Sequence, residues 1–231
     1  MKNNCSRKSW CGRGILMALA AVAISGFASP QGKAQQKNEE ANFSSITSPT
    51  TPDLITPPVG NSAFLEGHGV GTQGYVCLPD GSGGASWTVN ARPEATLFTN
   101  ILGEAVQIIT HFLSPVENPN GVGPNPPRFG DVTWQSSFDS SRVWAQKEHF
   151  ITAGTDQSCP NSGAIDCLLL QVIGSAEGPT GGKSLTKTTF IQRLNTKGGS
   201  APATGCALSG DVGRQALVPY SADYFFFRAN Q

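Results

Sequence analysis

Leu168-Leu169-Leu170-Gln171-Val172-Ile173 is the segment that says most about the architecture of this chain. Its side chains are apolar on nearly both faces of an extended backbone, which predicts a central strand buried on both sides. Farther along, residues 189–194 partly alternate between apolar and polar side chains, as a half-buried strand does. These two segments predict a sheet as the basis of the fold.

Working outward, similar short runs recur along the chain, each bounded by Gly, Pro, Asn or Asp. The predicted strands are residues 70–78, 85–89, 105–113, 132–138, 142–150, 165–173, 186–194 and 215–228. Only residues 94–109 are expected to carry a helical turn, because 27 Gly and 16 Pro leave little room for long helices. We expect an all-β domain over residues 57–231, a β-sandwich or barrel-like fold of about eight to ten strands with long loops.

The N-terminal 28 residues have the order of a secretory signal peptide. Four basic residues precede an apolar run at 15–23, and small residues follow at Gly26 and Ala28. An uncleaved anchor is the alternative, but the run is shorter than the ~20 residues of a spanning helix. Residues 29–56 are rich in Ser, Thr, Pro and Gln, which predicts a flexible tether. The expected location is therefore the periplasm or the outside of the cell.

Removal of the signal peptide changes the charge of the protein. The full chain carries 16 basic and 16 acidic residues, and residues 1–28 hold four of the basic ones and none of the acidic. The mature form therefore has 12 basic and 16 acidic residues, a net charge of −4. A nucleic-acid-binding protein is expected to present a basic surface. We therefore expect no nucleic-acid partner, and no stable membrane span after cleavage.

Four cysteines remain in the mature chain: Cys77, Cys159, Cys167 and Cys206. An even number in an exported domain predicts two disulfides, with three possible pairings. Cys159 and Cys167 flank a turn-rich segment that could close locally, and Cys77 with Cys206 would then join the two ends of the domain. Four reduced, buried thiols are the alternative. A metal site is disfavoured because the chain has no Cys-x-x-Cys pair.

Two glycine motifs resemble nucleotide-binding sequences. Gly69-Val-Gly71-Thr-Gln-Gly74 has the dinucleotide spacing, but a strand-like run follows it where a helix is required. We expect these glycines to serve turns or a bulge. Residues 178–184 are one residue short of a phosphate-binding loop, and the Thr-rich run after them favours a strand. We therefore expect a plain loop there, and no cofactor.

Three residues are candidates for acid–base or metal chemistry. Glu66 and His68 are two positions apart, so they share one face of an extended segment. With His111 they would form an acid–base pair or a metal site, although a histidine bonded within the core is the more common role. The chain has no Gly-x-Ser-x-Gly motif for a nucleophilic serine.

Aromatic residues suggest a binding surface instead. Tyr75, Trp87 and Trp134 are candidates for a platform that stacks on sugars. The alternative is that they belong to the core, where large aromatics of β domains usually lie.

Ordered motifs over about residues 57–228 carry a family resemblance. They are Gly71-x-Gln73-x-Tyr75-x-Cys77, Trp87, Ala95-x-Leu97-Phe98, His111-Phe112, Thr133-Trp134, Gly178-Pro-Thr-Gly-Gly182, Thr189-Phe190-Ile191-Gln192-Arg193, Ala201-Pro-Ala-Thr-Gly-Cys206 and Ala222-Asp223-Tyr224-Phe225-Phe226. The chain resembles domain-of-unknown-function family 3455, found in exported bacterial proteins and in fungi.

The resemblance implies a secreted β-rich domain without an established activity. Some fungal members carry a malate dehydrogenase label, which the context of the first glycine motif does not support. The resemblance also implies that Cys77 and Cys206 are framework positions, in agreement with a bond between them. Cys159 and Cys167 fall outside the shared motifs.

These observations predict a non-catalytic binding or structural module at the cell envelope or outside the cell. The expected ligand is a carbohydrate or another surface polymer. The alternative is a secreted hydrolase or metal-dependent enzyme that uses Glu66, His68 and His111. The sequence does not predict an oligomeric state.

Overall fold

Eight antiparallel strands account for most of the structure, a computed structural model that describes residues 46–114 and 131–230. The strands are β1 (Asn61–Pro79), β2 (Ala85–Ile101), β3 (Glu104–Ser114), β4 (Asp131–Ser136), β5 (Arg142–Ile151), β6 (Cys167–Ala176), β7 (Thr188–Gly198) and β8 (Gln215–Ala229). Two short 3₁₀ turns, Asp53–Ile55 and Ser209–Asp211, lie outside the sheet. The all-β prediction is confirmed, and each predicted strand overlaps an observed one.

The sheet closes on itself. Each strand pairs with the next in sequence, and β8 pairs with β1 from Asn61 opposite Ala229 to Val76 opposite Gln215. The result is a closed barrel, as the barrel-like alternative predicted. We call the end that carries residues 80–84, 152–166 and 199–214 the loop end of the barrel.

The helical turn predicted within residues 94–109 is wrong. β2 and β3 form a tight hairpin there through Leu102 and Gly103, whose φ angles are 54° and 91°. Positive φ at both central residues is typical of a turn whose twist matches that of paired strands. The Gly103 amide donates to the Asn100 side-chain oxygen at 2.9 Å, which fixes the turn. Pairing between β2 and β3 therefore supplies the backbone hydrogen bonds that a helix would otherwise have formed within itself.

Glycines in β1 allow other chain segments to approach closely. A Cβ atom at Gly71 would overlap the carbonyl oxygen of Glu94 on β2, and one at Gly69 would lie 2.7 Å from the Tyr224 ring. The register between β1 and β2 shifts between Gly74 and Tyr75. Of the two roles predicted for these glycines, turns or a bulge, the structure shows the bulge, because the motif lies inside β1 and the register shift falls at its end.

The second glycine motif lies in the β6–β7 connection. The Gly178 amide donates to the Gly182 oxygen at 2.9 Å, so the loop bonds to itself. A Cβ at Gly178 would overlap the carbonyl oxygen of Asp139 in the β4–β5 connection. β7 follows the motif, which confirms the loop prediction.

Apolar side chains lie on both faces of the sheet and form two clusters, one inside the barrel and one outside it. The inner cluster fills part of the barrel and includes Leu97, Ile109, Leu170, Ile191 and Phe226. The outer cluster includes Ile55, Cys159, Cys167, Leu169, Leu194 and Phe225. Leu169 and Leu170 thus point to opposite sides of β6, as expected of a strand that is apolar on both faces.

The segment before β1 packs against the barrel through the outer cluster, which includes Ile55. Ile55 is fully buried, and the Gln192 side-chain amide donates to its carbonyl oxygen at 2.6 Å. Packing therefore begins before residue 57, where we predicted the domain to start. The predicted signal peptide and tether residues 29–45 lie outside the described residues.

Two disulfides tie the connections to the sheet. Cys77 near the end of β1 is bonded to Cys206 in the β7–β8 connection, 129 positions away. Cys159 is bonded to Cys167, which closes the β5–β6 connection locally. This is the predicted pairing. No helix in residues 46–114 or 131–230 is long and apolar enough to cross a membrane.

Candidate functional site

A cavity of about 700 Å³ lies inside the barrel towards its loop end. All eight strands contribute to its wall, and residues 164–166 and 200–201 extend it at the loop end. The aromatic and polar lining residues include Gln73, Tyr75, His111, Trp134, Arg193 and Tyr224, and the charged residues Lys147 and Asp166 also line the cavity. Pockets that hold small molecules have volumes of about 300–1,000 Å³. The cavity therefore has the size of a small-molecule site.

His111 is a neutral member of this wall. It is 2% exposed, and its Nδ1 lies 2.9 Å from the Thr133 carbonyl oxygen, which only accepts. Nδ1 therefore carries the proton, and Nε2 is an acceptor. Burial lowers the pKa of His111 to about 3, with Arg193 also lowering it and the bond to Thr133 opposing the shift. His111 thus stays uncharged at neutral pH.

Trp134 packs directly on His111. The ring centroids are 4.0 Å apart and the planes are inclined by 15°. Tyr224 meets Trp134 edge-on, at a centroid distance of 6.4 Å. Trp134 is 1% exposed, and within the described part of the chain its indole Nε1 has no hydrogen-bond partner. A buried indole N–H usually finds an acceptor, so this donor is unsatisfied.

Arg193 brings a positive charge into the wall from β7. Its Nη2 donates to the Asp166 carbonyl oxygen at 2.8 Å. Its Nε is buried and has no hydrogen-bond partner among the described residues. Beside it, burial raises the pKa of the Tyr224 hydroxyl, although Arg193 partly opposes this shift. The Tyr224 and Tyr220 hydroxyls lie 2.9 Å apart in a hydrogen bond, so both phenols remain neutral.

The predicted ligand-binding residues separate into two places. Tyr75 and Trp134 line the same cavity, and the Tyr75 hydroxyl donates to the Gly199 carbonyl oxygen at 2.6 Å. Trp87 lies elsewhere, because its indole N–H donates to the Thr204 carbonyl oxygen at 3.1 Å, against the β7–β8 connection.

The predicted catalytic residues are not brought together. Glu66 and His68 share the outer face of β1, where Glu66 lies opposite Phe225 of the outer cluster. His68 is exposed, and its Nδ1 lies 2.6 Å from Asp223 Oδ1. His111 faces the cavity on the other side of the sheet. In the described residues, no three His, Cys, Asp or Glu side chains form a possible metal site.

The sequence reasoning overlooked Arg193 as a site residue. Ile191 and Arg193 share the inner side of β7, whereas Leu194 belongs to the outer cluster. A charged residue on an inward-facing position is the signal that could have revealed it. That signal was hidden because each side of β7 carries both apolar and polar residues, Ile191 with Arg193 on one side and Leu194 with Gln192 on the other. The inner face therefore could not be chosen from the sequence.

This geometry defines the class of protein: a closed antiparallel barrel with a cavity among its inward-facing side chains. Residues 58–228 match the model of the family described as "Protein of unknown function (DUF3455)". The chain belongs to this family, and the resemblance stated from its motifs is confirmed. No curated protein and no solved structure matches the chain.

Proposed function

We propose that this protein is an exported, non-catalytic binding protein that holds a compact organic ligand inside its barrel. The observation that carries the proposal is the cavity of about 700 Å³ with an unsatisfied indole donor in its wall. Eight-stranded barrels either fill their interior with side chains or hold one small ligand. Here the inner apolar cluster leaves space at the loop end.

The polar groups of the wall are held in fixed positions. Tyr75, His111 and Arg193 are each hydrogen-bonded to a backbone carbonyl oxygen, those of Gly199, Thr133 and Asp166. Side chains anchored in this way lose little further freedom when a ligand binds. Neutral aromatic groups and an anchored cation in this part of the wall favour binding over acid–base catalysis.

The shape of the cavity narrows the class of ligand that the sequence led us to expect, a carbohydrate or another surface polymer. A cavity inside a closed barrel suits a compact molecule, or the terminal unit of a polymer, better than a long polysaccharide chain. One face of the Trp134 indole is covered by His111, so it cannot stack a sugar on both sides. A carbohydrate or envelope polymer would therefore have to enter by its end.

Export is part of the proposal. The order of residues 1–28 is that of a signal peptide, and residues 29–45 would continue as a tether. The two disulfides fit an oxidising compartment such as the periplasm or the cell exterior.

The direct test is binding of N-phenyl-1-naphthylamine, a neutral apolar fluorophore, to the purified exported protein. We expect saturable fluorescence enhancement that is lost in Ala145→Phe, since Ala145 lines the cavity and is 5% exposed. Val70→Phe, at an exposed position on β1, is the matched control and should bind as the wild type does. Thermal unfolding would verify that both variants fold. Absence of saturable binding, or equal binding by a folded Ala145→Phe variant, would refute the proposal.

A further inference from the structure

Arg193 is a charged group of the cavity wall without an ion-pair partner among the described residues. No ion pair of Arg193 occurs among the described residues, where the ion pairs join His68 to Asp223, Lys183 to Glu177 and Arg214 to Asp211. Its bond to Asp166 goes to the backbone oxygen, not to the carboxylate. Arg193 is half-buried, and a partly desolvated cation without an anion is unfavourable, so a bound anion would stabilise this arrangement.

The groups around Arg193 do not supply that anion. His111 is neutral because burial lowers its pKa, and burial raises the pKa of Tyr75, Tyr220 and Tyr224. Asp166 and the exposed Lys147 also line the cavity and contribute one negative and one positive charge, with no ion pair between them. The site therefore carries one net positive charge.

A second donor lies in the same wall. Of the described buried side-chain polar atoms without a partner, two belong to cavity-lining residues: Trp134 Nε1 and Arg193 Nε. Both residues flank Tyr224, which lies opposite Arg193 in the β7–β8 register and edge-on to Trp134. Their N–H groups therefore offer donors to an oxygen-bearing group placed beside the Tyr224 ring.

A further part of the wall is apolar. Val132, Leu168, Leu170 and Ile173 line the cavity with Trp134. They provide a surface for a hydrocarbon body, which is stabilised by about 25 cal/mol per Å² buried. A site with one net positive charge and a partly apolar wall suits a monoanion, whereas a phosphate dianion would keep one uncompensated negative charge.

We infer that the ligand is an apolar carboxylic acid, bound as its carboxylate by the Arg193 guanidinium and held by its hydrocarbon body against the apolar wall. The planar guanidinium matches a carboxylate with two parallel hydrogen bonds. The Trp134 indole N–H donates to the same group or to a further oxygen of the ligand. This inference rests on the proposed binding function.

Displacement of N-phenyl-1-naphthylamine by a matched pair, decanoate and 1-decanol, tests the inference. We expect the wild type to prefer decanoate roughly 10- to 100-fold at pH 7.5, as follows from hydrogen bonds to charged groups. Arg193→Met should abolish that preference by lowering the affinity for decanoate to the level of the affinity for 1-decanol. Arg193→Lys should retain part of it. Arg228→Met, at the opposite end of the barrel, should behave as the wild type does.

The outcomes separate the two proposals. If the wild type binds the neutral fluorophore but takes decanoate and 1-decanol equally, the carboxylate inference is overturned and the binding function stands. If Arg193→Met weakens both ligands equally while remaining folded, the charge is not the recognition element. The preference of the wild type needs no variant, so a misfolded Arg193→Met does not obscure the result.

Discussion

His111 and Trp134 stack ring on ring at directly opposed positions of β3 and β4, with their centroids 4.0 Å apart. The stack closes off the imidazole from solvent, and its Nδ1–H donates to the Thr133 carbonyl oxygen. The indole N–H of Trp134 is buried in the cavity wall and has no acceptor among the described residues. One pair of rings thus accounts for both a buried neutral histidine and a donor in the cavity.

The buried state of His111 predicts a pH-dependent stability. Its pKa is about 3 in the folded protein and near 6.5 when unfolded, so between these values the unfolded chain binds one more proton. The free energy of unfolding should therefore fall as the pH drops below 6.5, by roughly 1.4 kcal/mol per pH unit from this group. Urea unfolding at pH 7.5 and 5.0 measures it.

His111→Gln removes this titration and is the control for other groups. The difference in unfolding free energy between the wild type and this variant should change with pH in the stated direction. An identical pH slope in both proteins would mean that His111 is accessible to protons in the folded state.

Close approach of β2 to Gly71 predicts that a single methyl group disrupts the barrel. Gly71→Ala should lower the free energy of unfolding by about 3 kcal/mol, because the Cβ would overlap backbone atoms that cannot move aside. Gly210→Ala is the matched control, since a Cβ there meets nothing within 4 Å. Chemical denaturation of both variants compares them. Equal stability would show that β2 can move away from β1 at little cost.

The two disulfides are predicted to contribute unequally. The loop-entropy model gives about 5 kcal/mol for a bond between positions 129 apart, as for Cys77–Cys206, and about 2.5 kcal/mol for the local Cys159–Cys167 bond. Double serine variants of each pair, unfolded in urea, test this order. The model fails here if loss of the local bond costs more than loss of the long-range one.

Asp139 is predicted to stabilise the end opposite the loop end through its carboxylate. Its oxygens accept from the Ser141 hydroxyl at 2.8 Å and the Ser184 amide at 2.9 Å. Partial burial raises the pKa of this carboxyl, but its hydrogen bonds together lower it below the ordinary value. The stabilisation is therefore present above about pH 4 and lost as the pH falls through the lower folded-state pKa.

Asp139→Asn should lower the unfolding free energy by about 1–3 kcal/mol at pH 7. Asp53→Asn, at an exposed position, is the matched control and should change it by less than about 0.5 kcal/mol. Similar losses in the two variants at pH 7 would contradict a special role for Asp139.

The sheet could be predicted because apolar side chains recur along its strands and Gly, Pro, Asn or Asp residues lie at the strand ends. β6 and β8 nearly match their predicted bounds. The first half of β1 was missed, since Gly67, Gly69 and Gly71 leave no side-chain alternation to read. Those glycines are explained by partners distant in sequence, such as the Tyr224 ring beside Gly69, which no local pattern contains.

The cavity was only partly predictable for the same reason. Tyr75 and Trp134 were selected as aromatic residues, and both line it. The sequence could not place Trp87 outside it, because its position depends on a bond to the distant Thr204. Nor could it assign Arg193 to the interior, since the inner face of each strand is set only when the barrel closes.

That closure has a consequence for the order of events during synthesis. β1 has no second neighbour until β8, the last strand of the barrel, pairs along it from Val76 to Asn61. A chain interrupted before residue 215 would therefore expose a long unpaired edge, which invites association with other chains. Strands β1 to β7 can pair in order as the chain emerges, but the barrel closes around its cavity only after β8 has been synthesised.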